Sequence, residues 1–289
     1  MASDPAAARR DYADELARIG PIERTPELTA AFATVPRERF LGPGPWRIIV
    51  PRASGNEVFT SPDADPVHLY RDVLVTIDAS RGINNGQPSL WARAFDRLGL
   101  KPGARVLHVA AGTGYYSAIL AETVGPTGRL VAVEYEADLA EQARANLEPW
   151  PWVTVVHGDG RTHDPGFDVD AIAVCAGSTH PAKLWLDRLA DGGVLVMPLT
   201  GRYGWGFMLR VERRGARFVA SSIGGVGIFP CAGGRDPAAE GRLQRALDRL
   251  TRNIAPIVAL HRGEPSSDER RRVWYAGPGF WLEEASAPT

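Results

Sequence analysis

The chain has 289 residues and a mass of 31.2 kDa, and its 33 Lys and Arg against 34 Asp and Glu leave a formal net charge of -1. Hydrophobic residues at 44% and charged residues at 23% exclude global disorder and predict a packed core, in one large domain or one domain with an appendage. Balanced charge offers no field to concentrate nucleic acid or an anionic membrane, so neither is an expected partner.

The N-terminal stretch carries charges throughout, and no segment approaches the ~20 apolar residues of a membrane helix, so a soluble, unexported protein is expected. From Asp4 to about Phe40 the apolar positions Tyr12, Leu16, Ile19, Leu28 and Phe32 recur at helical spacing and predict two short helices. Residues 41 to 66, rich in Pro and Gly, read as an irregular surface segment with an extended piece at Trp46 to Val50. A helix is expected from 88 to 98, with Pro88 in its first turn.

Short apolar runs then alternate with helical stretches. Val106 to Ala110, Leu130 to Glu134, Val153 to His157, Ala171 to Cys175 and Val194 to Pro198 are candidate buried strands, and Tyr115 to Val124, Ala137 to Leu147 and Pro181 to Leu189 candidate helices. This alternation predicts an α/β fold: an open, mostly parallel sheet with helices on both faces. Gly206 to Arg214 and Arg217 to Ile223 read as an antiparallel pair finishing one edge. After Pro230 come a helix holding Leu243, Ala246, Leu247 and Leu250, a polar stretch and a final aromatic segment. The two cysteines, Cys175 and Cys231, cannot form a disulfide framework and sit at no metal-ligand spacing, and the six histidines show no HExxH pattern. No metal site is expected, and a reducing cytoplasm fits.

Ligands of an open parallel sheet sit beyond the carboxyl ends of its strands. The first core strand is followed by Ala110-Ala111-Gly112-Thr113-Gly114, a turn of small residues that admits a ligand to the backbone at a helix start, although such turns also occur for structural reasons. The second ends at Glu134, 22 residues after Gly112, where a carboxylate can accept from both ribose hydroxyls of a nucleoside. The third ends in Gly158-Asp159-Gly160-Arg161: Asp159 can accept from an exocyclic amine and Gly160 leaves room for a ring, while GDG is also a common turn. Three such strand ends in a row point to a nucleoside cofactor. A dinucleotide turn places a third glycine where Ser117 stands, whereas S-adenosylmethionine, without phosphate, asks only for a close backbone, a ribose acceptor and an adenine clamp.

The stretches TPELTAAFATVPRERF, LYRDVLVTID, NNGQPSLWARAF, VLHVAAGTGYYSAIL, VVHGDGR and FDVDAIAVCAGSTHPAKLWLDRLADGGVLVMPLTG, in that order, resemble the protein-L-isoaspartate O-methyltransferase family from about Ile22 to Pro230. The resemblance implies a Rossmann-like class I methyltransferase using S-adenosylmethionine to methylate an isoaspartyl or aspartyl carboxylate of a peptide or protein. It implies a segment 1–98 covering the active site, a cofactor-binding core 99–230 and an extension 231–289. By motif position it implies that Ile83, Asn85, Gly86, Trp91, His108, Ala110, Gly112, Gly114, Glu134, Tyr135, Asp159 and Gly160 bind the cofactor, with Asn84, Asn85 and Gly86 at the reacting end. Three departures stand out. The family's serine in an S-x-P triplet is Gly86, its acidic residue in the first motif is His108, and the first glycine of that turn is Ala110. Asn84 and Asn85 are amides able to donate to a carboxylate, or turn residues. Because a carboxylate with a pKa near 4 needs no base at pH 7, an active enzyme with altered substrate preference is expected. Relatives with added C-terminal regions act on ribosomally made peptides, so a tailoring role on such a peptide or a small molecule is the alternative; a non-catalytic cofactor-binding module is another. Trp274, Tyr275, Phe280 and Trp281 would form either a recognition surface or a strap packed on the core.

Overall fold

The computed structural model describes residues 4–52, 54–250 and 255–285. The chain divides into two compact units, Met1–Ala104 with Ala111–His157, and Arg105–Ala110 with Gly158–Thr289.

In the first unit, helix α1 (Pro5–Ile19) is capped by the Asp4 carboxylate, which accepts from Ala6 N and Ala7 N at 3.0 and 3.1 Å. It buries Tyr12, Ala13 and Leu16. Helix α2 (Glu27–Thr34) stops at Val35 because Pro36 follows and pushes its predecessor out of the helical region. A small antiparallel sheet comes next, with strands β1 (Arg47–Val50), β2 (Glu57–Thr60), β3 (Leu74–Asp78) and β4 (Ile83–Asn84) in the order β2-β1-β3-β4. Trp46, Ile48, Leu69, Val73 and Val75 form its core. The segment expected to be irregular thus carries two paired strands. Helix α3 (Pro88–Asp96) ends two residues before the expected boundary, and Asp96 Oδ1, fully buried, accepts from the backbone N–H groups of Glu23, Arg24 and Thr25. Strand β5 (Arg105–Val109) belongs to the second unit. After the glycine turn, helix α4 (Tyr115–Val124), strand β6 (Arg129–Glu134), helix α5 (Ala137–Asn146) and strand β7 (Val153–His157) follow as expected. Strands β6 and β7 are parallel, with Glu134 opposite His157 at their carboxyl ends.

In the second unit, β5, β8 (Val169–Val174) and β9 (Leu189–Thr200) are parallel, and β10 (Trp205–Arg214) and β11 (Arg217–Gly227) are antiparallel. Helix α6 (Lys183–Arg188) lies between β8 and β9 in sequence, and α7 (Pro237–Leu247) opens the extension. Strand β11 is not the edge. Strands β12 (Ile257–Arg262), β13 (Val273–Gly277) and β14 (Phe280–Glu284) continue the sheet in the order β13-β14-β12-β11-β10-β9-β8-β5. The final aromatic segment is therefore a hairpin, turning at Gly279 with φ +71°. Trp274, Tyr275, Phe280 and Trp281 are all buried. Trp274 packs edge-on to Phe207 and the Tyr275 hydroxyl donates to Thr179 O at 2.7 Å, so the tail is a strap built into the unit and these rings form no open surface. Among the described residues no helix is long and apolar enough to cross a membrane.

Candidate active site

Strand β6 buries Leu130 to Val133 and delivers Glu134 at its carboxyl end, only 6% exposed. One carboxylate oxygen accepts from Gly112 N at 2.7 Å and the other from Glu136 N at 3.0 Å. Burial pushes its pKa up, while the N–H groups of Glu136, Gly112 and Tyr135 pull it back. The glycine turn and the acidic strand end are thus one hydrogen-bonded device. Its two glycines differ in purpose. Gly112 (φ +57°) faces open space where its side chain would stand, so a ligand can reach the backbone. Gly114 (φ +98°) caps α4, and a Cβ there would lie 2.9 Å from Leu147 Cδ1, so packing requires it. Tyr135, next to Glu134, is exposed.

The loop from Ile83 to Trp91 forms the other half of the first unit's candidate residues. Asn84 Oδ1 accepts from Gly86 N at 2.9 Å and holds the turn that puts Gly86 at φ +73°. Asn85 is pinned at three points. Its N–H donates to Val75 O, and its Oδ1 accepts from Val75 N at 3.0 Å and from Arg37 Nη2 at 3.1 Å. With the oxygen fixed, the amide orientation is fixed, and buried Nδ2 has no partner among the described residues. The residue that imposes this is Arg37, fully buried, whose guanidinium also donates to Leu69 O, Arg71 O and Val73 O. Its position lies within the VPRERF stretch, yet the sequence offered no reason to link it to Asn85, 48 residues away. Gly86 O accepts from the Tyr116 hydroxyl at 3.1 Å. Trp91, 1% exposed, packs against Phe95 and Tyr116 with ring centroids 5.7 and 5.9 Å away.

In the second unit, buried His108 sits with Nε2 3.1 Å from Cys175 Sγ, and burial holds its pKa down to about 3, so the imidazole is neutral. Ala110 has φ +61°, and among the described residues it is the one non-glycine in that region. Such a conformation is strained for an alanine, which is why a glycine suits the position. Asp159 Oδ1 accepts from Arg161 N at 2.9 Å. Gly160 has a packing reason of its own, since a Cβ would come within 2.5 Å of Val109 Cγ1. Arg161 Nη2 and His180 Nε2 are 2.8 Å apart, and burial with the Arg161 charge lowers the His180 pKa to about 4.

A solved protein-L-isoaspartate O-methyltransferase structure is similar to this chain with a TM-score of 0.66, at 22% identity, over 96% of this chain and 88% of its own. That overlap leaves room for only 4% of the chain outside it, so the extension has a counterpart there. A Plasmodium falciparum structure of the same type, in complex with S-adenosyl-L-homocysteine, covers 77% of this chain and 97% of its own with a TM-score of 0.60 at 18% identity. At these identities the likeness is one of fold, a Rossmann-like α/β fold in which the glycine turn is bonded to a strand-end carboxylate. A finer assignment comes from the sequence. The chain belongs to the protein-L-isoaspartate(D-aspartate) O-methyltransferase family, whose model matches residues 13–235. A protein-L-isoaspartate O-methyltransferase of Pyrobaculum neutrophilum is 33% identical over 211 residues, covering 71% of this chain and 89% of the relative. One from Ignicoccus hospitalis is 28% identical, covering 77% and 96%.

Proposed function

We propose that the protein transfers a methyl group from S-adenosylmethionine to a side-chain or isoaspartyl carboxylate of a peptide or protein. The observation that carries this reading is the buried Glu134 carboxylate bonded to the backbone of an open glycine turn, in a chain of this family. The donor set of the first unit suits the cofactor: a carboxylate for a ribose diol beside a backbone left open at Gly112. In the first unit Glu134 accepts from the ribose hydroxyls, Tyr135 covers the adenine, and Gly112 leaves the backbone open to the cofactor. Ile83, Gly86 and Trp91 line the reacting end.

When bound, the cofactor supplies an electrophilic methyl group on a positively charged sulfur. A carboxylate with a pKa near 4 is already ionised at pH 7, so accepting that methyl group would release no proton and would ask no residue of the chain to act as a base. The protein's task is alignment, which can supply on the order of 7–11 kcal/mol. Asn84 sets the turn, Arg37 fixes the amide of Asn85, and Asn85 Nδ2 donates to the acceptor carboxylate. Gly86 in place of the family serine favours a second reading, a dedicated peptide-tailoring enzyme acting on aspartate. Mass spectrometry of an isoaspartyl peptide and of its aspartyl counterpart after incubation with S-adenosylmethionine separates the two. Gain of one methylene mass on the isoaspartyl peptide supports repair, gain on the aspartyl peptide alone supports tailoring, and gain on neither overturns both.

A further inference from the structure

Gly86 and Trp91 share one volume. A Cβ built on Gly86 would lie 2.4 Å from Trp91 Nε1, closer than real Cβ atoms come, and 3.1 Å from its Cδ1. The N–H edge of the indole therefore fills the space that any side chain at position 86 would take. The ring has no freedom to withdraw, because Phe95 and Tyr116 flank it and Tyr116 in turn holds the Gly86 carbonyl. Among the described residues no acceptor is bonded to this N–H, although Trp91 is 99% buried by the complement of its 1% exposure. The nitrogen is not among the fully buried unpartnered atoms, so it stays reachable by an acceptor from outside the chain. The neighbouring Asn85 Nδ2 is buried and has no partner among the described residues.

From this geometry we infer that Trp91 is a specificity-determining donor: its indole N–H takes over, for the acceptor carboxylate, the place of a side-chain hydroxyl at position 86. The inference rests on the carboxylate-methylating reading above. An indole N–H donates and never accepts, so it suits an ionised carboxylate and rejects an amide NH2 presented at the same point, whereas a hydroxyl tolerates both. It also stands on a rigid ring, so the acceptor must come to the donor.

The test uses the full-length protein, an acceptor peptide bearing the methylated residue and its Asn-containing amide analogue as a competitive inhibitor. Trp91→Phe keeps an aromatic ring but removes the N–H together with the rest of the five-membered half of the indole, so it also opens a cavity and lowers the melting temperature. We expect kcat/KM for the acceptor to fall at least tenfold. S-adenosylhomocysteine affinity by calorimetry should stay within twofold, and the amide analogue should compete relatively better than in the parent. In the parent protein, with S-adenosylhomocysteine present, the Trp91 indole N–H resonance should move downfield on adding the carboxylate peptide and stay in place with the amide analogue. This second measurement needs no variant to fold. Unchanged kcat/KM in Trp91→Phe, a loss confined to S-adenosylhomocysteine binding, or an indole resonance indifferent to the carboxylate overturns the assignment while leaving the methyltransferase reading standing. A parent protein that methylates neither peptide overturns that reading itself, and the donor role with it.

Discussion

The glycine turn with Glu134 and the loop from Ile83 to Trp91 are two halves of one proposed reaction, and they are built from different materials. The first uses backbone: Gly112 N and Glu136 N hold a carboxylate, and the open side of Gly112 leaves the main chain accessible. The second uses side chains anchored from afar, with Arg37 fixing Asn85 and Trp91 filling the volume over Gly86. Backbone recognition depends on where glycines fall, so it survives drift at neighbouring positions. Side-chain recognition can be replaced piece by piece. The proposed cofactor end keeps Gly112, Gly114 and Glu134 and departs from the family at His108 and Ala110, while the proposed acceptor end departs from it at Gly86.

The largest effects should separate the two halves cleanly. Glu134→Ala removes a charged acceptor for two hydroxyls, each such bond being worth roughly 1.5–3 kcal/mol, so S-adenosylhomocysteine affinity should fall more than a hundredfold by calorimetry. Asn85→Asp should do the reverse. Its new carboxylate keeps the acceptor for Arg37 Nη2, so the fold is kept, but it withdraws the donor and faces the incoming carboxylate with like charge. Acceptor kcat/KM should fall about a hundredfold, with S-adenosylhomocysteine binding within twofold. If both variants lose cofactor binding equally, the division into two ends is wrong.

Gly86→Ser, which restores the family residue, should destabilise rather than repair. The left-handed backbone at φ +73° and the 2.4 Å approach to Trp91 Nε1 combine strain and overpacking, each typically 1–3 kcal/mol. A loss of about 2–3 kcal/mol in denaturant melts is expected, with no gain in isoaspartyl methylation. A variant as stable as the parent would show that the indole yields its place.

A smaller effect should come from His108, where the family's acidic residue has become a buried imidazole. Its folded pKa, down to about 3, lies below the ordinary 6.5, so below pH 6.5 the unfolded chain takes up a proton that the folded chain refuses. Stability should be full above that pH and fall towards pH 3, by at most about 1.4 kcal/mol per pH unit for this one site. His180, lowered to about 4, contributes in the same direction. His108→Gln should flatten the slope measured by melts between pH 7.5 and 5. An unchanged slope would locate the sensitivity elsewhere.

The contrast between the two halves also explains what the sequence could and could not reveal. Strands β5 to β9, helices α4 and α5, and the Gly112 to Glu134 spacing were readable because each depends on local periodicity and short-range turns. The four-stranded sheet around Trp46 and Val75 was not, because strands of two to five residues carry too few side chains to show alternation. The aromatic tail hid its hairpin for a related reason: Trp274, Tyr275, Phe280, Trp281 and Leu282 are all buried, leaving no polar face to betray a strand. The asparagines next to Gly86 were visible as amides. Which of them keeps a donor free is decided by Arg37 and Val75, neither of which sequence spacing brings to position 85.

The smallest expected effect carries the opposite sign and is for that reason the sharpest test of the comparison. Ala110→Gly, like Gly86→Ser, moves a residue back to the family's own choice, but at the cofactor end. Ala110 sits at φ +61°, where a Cβ is disfavoured by about 1–2 kcal/mol, and a glycine adopts that angle freely. Part of the relief is offset by the greater freedom of glycine in the unfolded chain, roughly 0.5–1 kcal/mol. A net gain of about 0.5 kcal/mol in denaturant melts is expected, with S-adenosylhomocysteine bound no more weakly. One reversion should therefore stabilise and the other destabilise. That asymmetry follows only if the cofactor turn still has the backbone shape its family fills with glycine, while the acceptor loop has been rebuilt around an indole that leaves no room to go back. Two reversions of the same sign would mean that both halves have drifted alike, and the division drawn between them would fail.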